Sequence, residues 1–125
     1  MKRGYLFMYT IYEIANRLTE LLNGQRFIEA YQQLFAEDAE SIDPLNTRQS
    51  PLKGLANLLE REKDFLSRTE IHKISVSEPI VTSNYFTMGL YMDFTIAGQG
   101  KMEVEELCVY KVKDGKIISQ QFFIG

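Results

Sequence analysis

Tyr85-Phe86-Thr87-Met88-Gly89-Leu90-Tyr91-Met92-Asp93-Phe94-Thr95-Ile96 is the stretch that decides the architecture. Phe86, Met88, Leu90, Met92 and Phe94 alternate with Tyr85, Thr87, Tyr91, Asp93 and Thr95. A period of two belongs to a strand whose side chains point to opposite faces. Just beyond it, Gly98-Gln99-Gly100 reads as a hairpin link into a second strand from Lys101 to Val112. Asp114-Gly115 is a two-residue turn of the kind sheet twist favours, leading into a third strand from Lys116 to Ile124. A further strand is expected upstream, from about Ile71 to Ser77. Strands joined this tightly run antiparallel, so the last three long strands read as a meander.

Before Ser67 the period is helical. Thr10-x-x-Glu13 forms a capping box, which satisfies backbone donors left free at a helix start. Ile11, Ile14, Ala15, Leu18, Leu21 and Leu22 then recur along one face, and Asn23-Gly24 stops the helix. A second helix from Arg26 to Leu34 carries Phe27, Ala30, Tyr31, Leu34 and then Phe35 on one face. Ser41-Ile42-Asp43-Pro44 reads as a short strand broken by proline, followed by a loop from Leu45 to Pro51. A third helix is expected from Leu52 to Ser67, with the stripe Leu55, Leu58, Leu59, Phe65 and Leu66. Helices first and long strands after place the helices together on one sheet face. The expected fold is therefore α+β: three N-terminal helices on a strongly curved antiparallel sheet, a cone whose uncovered interior leaves a pocket.

The chain has 125 residues, enough for one core and too few for two. Residues 1–9 read as an N-terminal extension and 10–125 as a single domain, with Met8 as an alternative start. Met1-Lys2-Arg3 before Tyr5-Leu6-Phe7-Met8 is too short for a secretory signal and lacks a cleavage site. No later stretch reaches the roughly 20 apolar residues of a membrane span. A formal net charge of -3 with no basic stripe speaks against nucleic acid. One cysteine, Cys108, leaves no internal disulfide and fits a reducing, cytoplasmic setting. Neither a metal site nor a cofactor motif is legible.

Three stretches carry a resemblance over nearly the whole chain. They are Leu34-Phe35-Ala36-Glu37-Asp38-Ala39-Glu40-Ser41-Ile42-Asp43-Pro44, Lys53-Gly54, and Cys108 to Ile117 with Gln121-Phe122-Phe123. In order and spacing the chain resembles the nuclear transport factor 2-like superfamily with its cystatin-like fold, and within it the SnoaL-like proteins. It is distantly similar to ketosteroid isomerase, where the aspartate of an acid-acid-x-x-x-x-acid-Pro run is the proton-transfer base. That resemblance implies the base role for Asp43. The isomerase also uses an oxyanion hole of a tyrosine and a protonated aspartic acid. The corresponding positions here fall on Leu18 or Thr19 and on Cys108, and those of two supporting tyrosines on Phe35 and Glu62. Steroid isomerisation by that route is disfavoured.

The candidate site is built from acids on inward-facing patterns. Asp43 either starts a turn before Pro44 or stands as a base at the pocket mouth. Glu62 sits inside the apolar stripe of the third helix, facing either the pocket or its rim. Glu106 alternates with Val104, Cys108 and Tyr110, and faces inward unless a bulge flips it. Together the three acids would form a cluster whose members raise one another's pKa. Leu58, Cys108, Tyr110 and Phe122 are the expected ligand-binding residues. His72 reads as a surface or edge residue, and Cys108 as a small apolar residue rather than a nucleophile. Along Tyr85 to Ile96, either the Phe86/Met88 row or the Tyr91/Asp93 row faces the helices. The preferred function is binding of a small apolar molecule. Its alternatives are a cofactor-independent isomerase, cyclase or hydratase with Asp43 as base and Glu62 or Glu106 as donor, and a protein-interaction module. A twofold homodimer through the outer sheet face is expected.

Overall fold

The computed structural model describes residues 9–45 and 50–125. The alternative start at Met8 and the middle of the loop after Leu45 lie outside them. Helix α1 spans Ile11–Asn23. Its capping box forms as expected: Glu13 N–H donates to Thr10 Oγ1 at 3.2 Å, and Thr10 N–H to Glu13 Oε1 at 2.8 Å. Gly24 closes the helix without entering the left-handed region, which Gln25 occupies instead at φ 58°. Helix α2 spans Phe27–Leu34 and runs directly into strand β1, Phe35–Ile42. Leu52–Lys53 is strand β2, paired antiparallel with Glu40 and Ser41. Helix α3, Leu55–Ser67, therefore starts three residues later than its apolar pattern suggests. Gly54 makes the break between them, at φ 95° and ψ 131°.

Strands β3 (Thr69–Val76), β4 (Ile80–Val81), β5 (Tyr85–Ile96), β6 (Gly100–Lys113) and β7 (Lys116–Ile124) complete the sheet. Its order is β2-β1-β7-β6-β5-β3, with β4 beside β5. The β5-β6-β7 portion is the antiparallel meander read from the sequence, and β3 joins it antiparallel to β5. The sheet as a whole is mixed, because β1 lies parallel to β7. A strand entering from α2 reaches the free edge of β7 only after α3 and the meander have intervened, and such a long crossover permits parallel pairing. Both Asp114 (φ 52°) and Gly115 (φ 75°) take the left-handed conformations a tight twisted hairpin needs.

The helices lie on the face carrying Phe86, Met88, Leu90 and Phe94, all buried. Tyr91 and Asp93 thus belong to the outer face. The core joins Ile14, Leu18 and Leu21 of α1, Ala30 and Leu34 of α2 and Leu58 of α3 to Phe86, Met88, Cys108 and Ile117. No helix among the described residues is long and apolar enough to cross a membrane.

Candidate functional site

Beside this core the helices and sheet part to leave a cavity of about 330 Å³. Leu18 and Leu22 of α1, Phe27, Ala30 and Tyr31 of α2, and Phe65 of α3 form one wall; Leu90, Met92, Phe94, Val104 and Phe122 form the opposite one. The space is large enough for a small organic molecule, and most of its lining is apolar. Asp43, Glu62, Glu106 and Tyr110 also face it. Of the expected ligand-binding residues, Tyr110 and Phe122 are on the wall. Leu58 and Cys108 are not: both are fully buried in the core behind it. Helical or strand periodicity marks a side chain as inward, but not whether it meets a neighbour or a void.

The three acids do not meet as one cluster. Asp43 and Glu106 lie close enough to interact, whereas Glu62 lies with Arg61 and Tyr31. Among the described residues no group of three His, Cys, Asp or Glu side chains could hold a metal ion. Burial pushes the Glu106 carboxyl up to about 7, and the charge of Asp43 adds to the effect. Burial likewise pushes Glu62 up to about 7, against the opposing pull of Arg61. The Cys108 thiol is pushed up to about 12, first by burial and then by Glu106, so it stays protonated at neutral pH. Asp43 makes the turn and also stands at the cavity. Its Oδ1 accepts the Leu45 N–H at 2.9 Å, an Asx turn ahead of the loop, while the side chain lines the cavity. The Ser50 side-chain oxygen lies 3.0 Å from the backbone N–H of Asp43 and accepts its hydrogen bond.

A polar network beside Glu62 was not legible in the sequence. Gln120 Nε2 donates to Tyr31 Oη at 2.8 Å and to Ser41 Oγ at 3.0 Å, and Arg61 Nη2 donates to the same Ser41 oxygen at 2.8 Å. Both amide hydrogens of Gln120 are thereby used, and Tyr31 retains its own hydroxyl proton to donate. Burial and the neighbouring Glu62 hold that phenol well above its usual range. Tyr31 was recognisable only as part of the α2 apolar face, and Ser41, Arg61 and Gln120 come from three separate elements. His72 sits at the irregular register between Ile71 and Lys73 of β3, bonded to Thr95, and is not among the residues that line the cavity.

Three helices on an open mixed sheet give the chain a fold shared with solved structures of nuclear transport factor 2-like proteins. Residues 9–124 match the profile of the SnoaL-like domain, and the chain belongs to that family. Among solved structures it is similar to a Mesorhizobium loti protein provisionally named a SnoaL-like polyketide cyclase, with carbohydrate phosphatase as a second label. Identity there is 28% and the TM-score 0.86, over 92% of this chain and 99% of the other. A Catenulispora acidiphila protein with a ketosteroid isomerase-like fold, in complex with trimethylamine, is similar at 16% identity and TM-score 0.70, over 92% and 86%. A Burkholderia pseudomallei protein of the same class and unknown function gives 10% and 0.73, over 90% and 88%. No match is found among proteins of curated function.

Proposed function

We propose that the domain binds a small, largely apolar molecule in this cavity, without a cofactor. The observation that carries the reading is the cavity itself: about 330 Å³ walled by α1, α2, α3 and the inner face of β5 to β7, with a few polar groups converging on it. Filling that space removes apolar wall from water and orients the ligand through Tyr31 and the carboxyls. Titration with prodan, an uncharged fluorescent naphthalene ketone, tests it. The emission should shift to the blue and saturate at one probe per chain, and Ala30→Phe, which narrows the cavity, should weaken binding at least about tenfold. Unchanged affinity in a cooperatively folded Ala30→Phe protein would sink the reading.

The Asp43–Glu106 pair supports a second reading, cofactor-independent proton transfer as in an isomerase, cyclase or hydratase. A carboxylate beside the Glu106 carboxyl, which burial pushes up to about 7, suits paired base and acid roles, with Asp43 taking a proton from carbon and Glu106 or Glu62 delivering one. A twofold dimer through the outer sheet face completes the proposal. Leu107 and Phe123, paired across β6 and β7, expose 45% and 47% of their surface there.

A further inference from the structure

Charge in the cavity is unevenly compensated. Glu62 has the Arg61 guanidinium beside it, and Asp64 and Arg68 pair with each other at 3.2 Å. Asp43 and Glu106 act on each other, yet neither forms an ion pair with a described lysine, arginine or histidine. Among the described residues only Oδ1 of Asp43 is engaged, by the Leu45 N–H of the Asx turn. Phe122 adjoins the pair: Cys108 is its partner across the sheet, and Glu106 is two residues from Cys108 on the same face. The wall beyond includes Phe65 and Phe94, packed edge to face with centroids 5.7 Å apart. Aromatic faces and carboxylates both attract cations, whereas an anion would meet repulsion, and a neutral head would leave that between Asp43 and Glu106 in place.

We propose that the molecule this cavity selects is an organic amine, its ammonium head held by Asp43 and Glu106 beside the Phe122 ring and its apolar body lying against Phe65, Phe94 and Leu22. This rests on the reading of the cavity as a small-molecule site, and deepens the binding reading rather than the proton-transfer one. The groups facing the site are Tyr31 from α2, Arg61, Glu62 and Asp64 from α3, Arg68 at its C-terminal cap, Asp43 after β1, and Tyr110 from β6, with the Cys108 thiol buried behind the wall. Glu62 and Glu106 are pushed up to about 7, and burial holds the tyrosines and the thiol above their usual ranges. A cation stabilises the ionised carboxyl, so its arrival expels protons, and affinity for the amine rises with pH through about 7.

Calorimetric titration of the full chain with amantadine and with the neutral alcohol of the same adamantane cage is the test. At about pH 8.5 the amine should bind at least about tenfold more tightly than the alcohol, and at about pH 5.5 the advantage should shrink severalfold. In Asp43→Asn/Glu106→Gln the ratio of the two affinities should fall to near one. Should that pair of changes prevent folding, Glu106→Gln alone should lower the ratio at least about threefold. An alcohol bound as tightly as the amine at high pH overturns the amine proposal and leaves the cavity reading standing. An amine preference that survives in the variants also overturns it, and failure of both probes to bind defeats both readings.

Discussion

Glu62 and Glu106 show what a single side chain's pattern can carry. Glu62 interrupts an apolar helical stripe and Glu106 an alternating strand, and acids in such places either reach a cavity or cost heavily in stability. Both reach the cavity. The energetic consequence is a pH dependence of definite sign. Each carboxyl rises from 4.5 to about 7 on folding, so between those values the native state holds more protons than the unfolded chain. Their contribution to stability should therefore be fully present at and below about pH 4.5, fall by roughly 1–3 kcal/mol per group between there and about pH 7, and level off above. Thermal unfolding of the wild type against Glu62→Gln at several pH values checks this: the variant should lose part of the slope, and an identical slope would remove Glu62 from the explanation. Tyr31, Arg61 and Gln120 escaped the sequence because each looks ordinary in its own element. Only the parallel pairing of β1 with β7, which sets Ser41 opposite Gln120, brings them together.

At the scale of elements, strong local periodicity was legible and weak or conflicting patterns were not. The β5 and β7 boundaries follow the alternation to the residue, and α1 follows its cap. Strand β1 was the harder case. Ala36-Glu37-Asp38-Ala39-Glu40 has a composition that suits a helix, and its pairing shifts register between Phe35 and Glu40, so no regular alternation marks it. Its strand state is imposed by β7 and β2, contacts distant in sequence. Gly54 decides where α3 starts. At φ 95° it occupies a region that side-chain-bearing residues avoid, although the nearest atom to an added Cβ is 3.6 Å away. Gly54→Ala should therefore cost about 1–2 kcal/mol through backbone strain rather than collision. Urea unfolding measures that loss; a stability equal to wild type would mean that the turn relaxes without cost.

For the whole molecule, a sheet with helices on one face leaves the other to water or to a partner. Along β5 the buried row meets the helices, while Tyr91 donates to Glu103 at 2.6 Å and Asp93 lies 3.4 Å from Lys101 on the other side. Asp93 Oδ1 is buried with no hydrogen-bond partner among the described residues. Sedimentation should give a dimer at micromolar concentration, and Leu107→Glu with Phe123→Glu a monomer that keeps its fold. A wild-type monomer would refute the interface. The fold class could be read from the sequence because the order of helices and strands restricts how layers can pack. The extent of the cavity could not, since it depends on where side chains from seven elements fail to meet.

Methyl-resolved NMR of the chain titrated with prodan tests the small-molecule cavity most directly, because it reports both whether the probe binds and where. Resonances of Leu18, Leu22, Leu90, Met92 and Val104, which line the cavity, should move together and saturate, while Ile80 and Leu107, both exposed, should stay still. Shifts confined to Leu107 and its neighbours on the outer face, or no shifts at saturating probe, would contradict the assignment of the cavity as the binding site.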